Sequence, residues 1–210
     1  MNLLLVTPHL PEARSGNYIT AARYKRIFEK LGHRVRLTED SAGESADAMV
    51  ALHARRSHPS IRRFAEQQTA KPLVVVLTGT DLYRDIHSDA DAQASLDLAT
   101  RLVVLQRKGL DELAERHRAK TAVVYQSVIG CRPARNPPTT YFRVAVVGHL
   151  RPEKDSLRTP LALRELSPES RIRAVHAGSA LEDDLGRSIK HENATNPRYR
   201  WLGSLPHWKT

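Results

Sequence analysis

The chain has 210 residues, 40% of them hydrophobic, a formal net charge of +10 and a single cysteine, Cys131. That length exceeds one average α/β domain and falls short of two complete ones of about 150 residues each, while one cysteine excludes an intramolecular disulfide and any cysteine-rich metal site. The apolar runs are strand-length, no signal segment opens the chain, and the basic surplus is spread along it without aromatic platforms; a soluble, cytoplasmic protein with small anionic ligands is expected, with no membrane span and no nucleic-acid partner.

Residues 3–6 read as a buried strand, and a loop over residues 7–16 leads into a helix at about 17–31, stopped by Gly32. Tyr24, Ile27, Phe28 and Leu31 recur at helical spacing and are expected on its inner face. Short strands follow at 35–37 and 48–52, then a polar helix at 57–68 and the strongest strand of the chain at 73–77. A loop over 78–85, a helix at 90–99, a strand at 102–105, a helix at 108–117 and a strand at 122–125 complete a first unit. Strands rich in Val and Leu alternating with helices imply an α/β fold, a doubly wound parallel sheet covered on both faces.

Pro133, Pro137 and Pro138 mark residues 132–140 as a linker between a domain at 1–131 and a second unit at 141–210. In that unit strands are expected at 144–147, 172–176 and 200–202, with helices at 156–166 and 181–192. Three strands and two helices fall short of a doubly wound domain, so the second domain is expected to be incomplete, the sequence being truncated at its carboxyl end. Apolar faces around Val144, Val146, Ile172 and Val175 would then lack cover.

Open parallel sheets bind ligands beyond the carboxyl ends of their strands, which directs attention to three loops. In the first, Gly16 permits close backbone approach, Asn17 or Ser15 can cap the following helix, and Thr20 and Arg23 continue it; a plain capped helix with a surface Arg explains the same residues. No G-x-G-x-x-G and no G-K-[ST] occurs there. The second loop sets the hydroxyls of Thr78 and Thr80 and the carboxylate of Asp81 after the strongest strand, suited to sugar hydroxyls or to steering a nucleophile. The alternative is a turn in which Asp81 caps a short helix. The third, Val147-Gly-His-Leu-Arg-Pro-Glu-Lys-Asp155, places Arg151 and Lys154 where a predicted strand passes into a predicted helix, an arrangement suited to a diphosphate, with helix-end solvation as the bland alternative. Two loops from the first domain and one from the second make a cleft between domains the expected site. The histidines form no metal-ligand pattern, so neither a metal nor another cofactor is expected.

These motifs support a resemblance. Ser15-Gly-Asn-Tyr-Ile-Thr-Ala-Ala-Arg-Tyr24, Leu77-Thr-Gly-Thr-Asp-Leu-Tyr-Arg-Asp85, the Gly148–Asp155 element and Asn196-Pro-Arg-Tyr-Arg-Trp-Leu-Gly203 resemble the GT-B glycosyltransferases related to family 4, and among them the selenosugar synthases of selenoneine biosynthesis. The resemblance implies two Rossmann-like domains, a UDP-sugar donor such as UDP-N-acetylglucosamine, and selenophosphate as acceptor. It further implies that Arg151 and Lys154 hold the UDP diphosphate and that the Gly16/Asn17 loop faces the transferring sugar. Thr20, Arg23 and the amides near Gly16 would then serve the acceptor. In that family the latter half of the second domain carries an acidic loop for the ribose and donor sugar, and the sequence stops before it. A family 4 enzyme with an ordinary sugar or lipid acceptor, and a non-catalytic remnant, are the alternatives.

Overall fold

The computed structural model describes residues 1–9, 15–127 and 140–206, with the side chain of Glu153 left aside. The protein divides into two compact units, Met1–Ile129 and Gly130–Thr210. Cys131 and residues 132–139 of the expected linker lie outside the described residues.

The first unit carries six parallel strands: β1 (Asn2–Val6), β2 (Arg34–Thr38), β3 (Ala48–Leu52), β4 (Leu73–Leu77), β5 (Arg101–Val104) and β6 (Thr121–Val123), in the order β2-β1-β3-β4-β5-β6. Period-two alternation sends Leu73, Val75 and Leu77 to one face, where Ile61 and Phe64 of α2 (His58–Gln67) and Leu96 of α4 (Ala90–Leu98) bury them. Val76 faces the other way with Leu5, Val50 and Leu52, beneath Ala21 of α1 (Gly16–Lys30). Ser15 caps α1, its Oγ accepting from Tyr18 N at 3.2 Å.

Two expectations need correction here. The inner stripe of α1 runs through Thr20, Ala21, Tyr24 and Phe28, whereas Ile27 is 40% and Leu31 66% exposed. Spacing alone could not choose between two stripes offset by one residue; the small Ala21 decides it by letting the helix lie close on Leu5 and Val50. The helix expected at 108–117 is broken into a 3₁₀ turn, Arg107–Leu110, and a short α5, Glu115–Arg118. Within the 3₁₀ turn Gly109 packs so tightly that a Cβ there would lie 3.0 Å from Leu82 Cδ2 and 3.1 Å from Val104 Cβ. Close approach at that turn, rather than helical periodicity, shapes the segment.

The second unit is a parallel sheet β7-β8-β9, formed by Phe142–Val147, Ile172–Ala177 and Tyr199–Gly203, with α6 (Arg158–Arg164) and α7 (Asp183–Thr195) as crossovers. Leu163 and Ile189 of the helices pack on Val144, Ile172, Ala174, Tyr199 and Trp201. Arg164 Nε donates to Glu192 Oε2 at 2.9 Å and Asn196 Nδ2 to Pro160 O at 2.9 Å, fastening the helices to each other. Val144 and Ile172 therefore have cover, against expectation. The opposite face is the open one: Arg143, Ala145, Val147, Arg200 and Leu202 are exposed along it, with Val147 at 63%. No helix among the described residues is long and apolar enough to cross a membrane.

Candidate functional site

At the carboxyl end of β1, Gly16 opens α1 beside free space, since a Cβ there would meet nothing within 4 Å. Asn17 is half-buried in the first turn. Thr20 is buried; its Oγ1 donates to Gly16 O at 2.9 Å and accepts from Gln126 Nε2 at 3.1 Å. Arg23 Nε donates to Ser127 Oγ at 2.9 Å. Thr20 and Arg23 thus tie the segment leaving β6 onto α1, while Gly16 borders open space.

The segment after β4, expected as a loop, winds into a π-helical turn, Asp81–Asp85, followed by α3, Ile86–Ser88. Its cause is Asp81. Oδ1 accepts from Thr78 N at 3.0 Å, Thr78 Oγ1 at 3.1 Å and Gly79 N at 2.9 Å, while Oδ2 accepts from Ala54 N at 2.9 Å. With 0% exposure and four donors, the carboxylate binds the strand exits of β3 and β4 together. Half-buried Thr80 precedes the turn, its side chain making no capping bond to it.

A third strand exit went unread in the sequence. His53, directly after β3, is 3% exposed and sits at φ 73°, in the left-handed region that side-chain-bearing residues rarely occupy. Its Nδ1 accepts from Arg56 N at 3.3 Å, which leaves the proton of the neutral ring on Nε2, 4.0 Å from Asp85 Oδ2. Burial pushes the His53 pKa down, Asp81 opposes that shift, and Arg56 adds to it. Asp85 is 4% exposed and lies 3.0 Å from Arg84 Nε and 3.1 Å from Arg55 Nε. Nearby, Arg56 Nη1 donates to His9 Nε2 at 2.8 Å, joining the exit of β3 to that of β1. The available signal was positional: a polar residue, His53, immediately after five buried apolar ones.

In the second unit, Arg151 and Lys154 follow β7 on a 3₁₀ turn, Pro152–Lys154, and both are exposed. The expectation that they open a helix directly is corrected: they sit on the 3₁₀ turn that precedes it. Asp155 takes a left-handed conformation, φ 44°, and α6 starts three residues later, so charge rather than a helix dipole is what these side chains offer. Neither has a carboxylate partner among the described residues. The loop beneath them is held firmly: Ser156 Oγ accepts from Arg151 N at 3.2 Å, and Ser179 N donates to His149 Nδ1 at 3.1 Å. Gly178 is forced by contact, because a Cβ there would lie 1.7 Å from Gly148 O. Buried His176 donates from Nε2 to Gly148 O at 3.2 Å, and its Nδ1 therefore accepts from Tyr199 Oη at 2.7 Å. Burial pushes the His176 pKa down and the Tyr199 phenol up. No cluster of metal-ligating side chains occurs among the described residues.

Backbone similarity to solved structures extends over both units. HepE from Anabaena in complex with UDP and glucose superposes with a TM-score of 0.65 at 15% identity, covering 98% of this protein and 70% of that one. HepE with UDP-glucose gives 0.62 at 17% identity, covering 98% and 69%. The fold is of the GT-B type. A mutant of TarM from S. aureus, in complex with Fondaparinux, alpha-GlcNAc-glycerol and UDP, gives 0.52 at 13% identity, covering 75% of this protein and 33% of that one. No protein-family model matches the sequence, and no curated protein does. Within a GT-B fold the strand exits described above are the ligand-facing ends of both sheets.

Proposed function

We propose that this protein is a glycosyltransferase that takes a UDP-sugar as donor, and that it acts as a selenosugar synthase, passing the sugar of UDP-N-acetylglucosamine or a close relative to selenophosphate. The observation that carries the donor assignment is the exposed pair Arg151 and Lys154, without a carboxylate partner among the described residues, on a pinned loop at the carboxyl end of β7. The GT-B fold, shared with a HepE structure that holds UDP-glucose, supports it. The selenophosphate acceptor rests on the resemblance of the quoted motifs.

In the transfer, the anomeric carbon–oxygen bond breaks, the electron pair leaves with UDP, and the selenium of selenophosphate forms the new bond to carbon. Negative charge grows on the β-phosphate as that bond lengthens. Arg151 supplies a fork matched to two phosphate oxygens and Lys154 a point charge, so together they stabilise the leaving group without a metal. Gly16, Asn17 and Thr80 line the first unit's ligand-facing end. Asp81, saturated by its four donors, serves as a positioning residue that sets Thr80 and the β3 exit.

The test is thermal protection by UDP compared with UMP. UDP should protect more, and replacing Arg151 and Lys154 together with Ala should abolish the difference while leaving the unliganded melting temperature unchanged. A UDP preference that survives in the double variant refutes the donor assignment. Mass spectrometry of reactions with selenophosphate, simple sugars and lipid acceptors decides the acceptor. Product with sugars or lipids alone would place the protein with ordinary family 4 enzymes, and no product with any acceptor would favour a non-catalytic remnant.

A further inference from the structure

We propose that the first unit carries an oxyanion subsite built on Arg56 and His9, and that it takes the phosphate-type group of the acceptor. Arg56 is exposed, four residues beyond β3, and His9 stands three residues beyond β1, the strand paired with β3. A guanidinium has no acceptor, so the 2.8 Å contact from Arg56 Nη1 makes His9 Nε2 the acceptor and places the proton of that neutral ring on Nδ1. The partner of Arg56 is thus an uncharged imidazole, which holds the guanidinium in place without cancelling its charge. Among the described residues no carboxylate pairs with it. By contrast, neighbouring Arg55 is committed to Asp85 and Asp89, at 3.1 Å and 3.9 Å.

The backbone of Arg56 is also fixed. His53 adopts φ 73° and accepts Arg56 N at its Nδ1, so one imidazole holds the main chain and another the side chain. A buried His in the left-handed region is strained, and such strain persists where its surroundings over-determine it, commonly at ligand sites. One buried polar atom without a hydrogen-bond partner among the described residues, Thr7 Oγ1, lies at this same end of the sheet. What Arg56 and His9 leave free is a set of donors, the remaining guanidinium N–H groups and His9 Nδ1–H, around an uncancelled positive charge. A tetrahedral oxyanion accepts from such a set, whereas a neutral sugar hydroxyl gains little from the charge.

Naming this oxyanion as the acceptor's rests on the transferase reading; the subsite itself does not. The probe is inorganic phosphate, titrated into the 210-residue protein at constant ionic strength and followed by ³¹P line width, with UDP protection measured in parallel. Wild-type protein should show saturable phosphate binding. Arg56→Gln should weaken it about tenfold or more, His9→Ala by less, and Arg26→Gln, an exposed charge on α1, not at all. UDP protection should be the same in all of them. Absent phosphate binding, equal loss in Arg26→Gln, or an Arg56→Gln that binds like wild type overturns the subsite. Loss of UDP protection in Arg56→Gln would assign Arg56 to the donor diphosphate and overturn the acceptor assignment. Should UDP fail to protect the wild type while phosphate binding still depends on Arg56, the transferase reading falls and the subsite stands.

Discussion

Replacing Asp81 with Asn keeps the side chain's size but turns one acceptor atom into a donor. Every neighbour of that carboxylate is itself a donor: Ala54 N on one oxygen, and Thr78 N, Thr78 Oγ1 and Gly79 N on the other. Whichever way the amide turns, a buried N–H faces another N–H, at a cost of about 2–4 kcal/mol. Urea denaturation of Asp81→Asn should show that loss, and an unchanged midpoint would contradict the clamp role. The two buried histidines make a separate prediction. Burial holds His53 and His176 below their ordinary value of 6.5, so the unfolded protein takes up protons near that pH that the fold refuses. Their contribution is complete above pH 6.5 and declines as pH falls through it toward the lowered values. Unfolding free energies measured at pH of about 7.5 and 5.5 should differ accordingly, in a window above the ordinary carboxylate range, and His176→Gln should flatten the dependence. Equal stability at both pH values would count against it.

Loops after strands do the chemical work of this fold, and their shapes come from contacts that each element makes with the next. The exits of β7 and β8 meet backbone to backbone at Gly148 and Gly178. Gly178→Ala would push a methyl group into Gly148 O, and relief requires separating the two loops. We expect it to destabilise the second unit by more than about 3 kcal/mol and to remove UDP protection while leaving the first unit's transition in place. A Gly178→Ala protein that unfolds like wild type would show that these loops are not packed as described. The broken segment between β5 and β6 has the same origin. Apolar spacing favoured one continuous helix, but Gly109 lies against Leu82 and Val104, and the backbone turns there to let them approach.

Taken as a whole, the molecule is two units of unequal solidity. The first buries apolar residues on both faces of a six-stranded sheet, whereas the second covers one face of three strands and leaves Ala145, Val147 and Leu202 exposed on the other. A parallel sheet with one face largely uncovered among the described residues has lower local stability. Limited proteolysis should therefore cut within the second unit first and leave a resistant fragment containing residues 1–127. Equal resistance of both units, with a single cooperative transition, would refute this.

The α/β class and the β3 and β4 boundaries were determined by the sequence alone, because runs such as Leu73–Leu77, preceded by Pro72 and followed closely by Gly79, have a strand's length and burial whatever surrounds them. Arg151 and Lys154 could be placed after a strand for the same local reason. Tertiary structure alone decided that Asp81 is saturated, that Thr20 and Arg23 hold the segment leaving β6, and that His53 and His9 grip Arg56. Each of those outcomes needs at least one partner far away in sequence, Ala54 at 27 residues from Asp81, His9 at 47 from Arg56 and Gln126 at 106 from Thr20, and the grip on Arg56 also needs a backbone angle. Local spacing carries no record of such distant donors, so which polar residues are spent on the fold and which remain for a ligand emerges only when the strand exits are brought side by side.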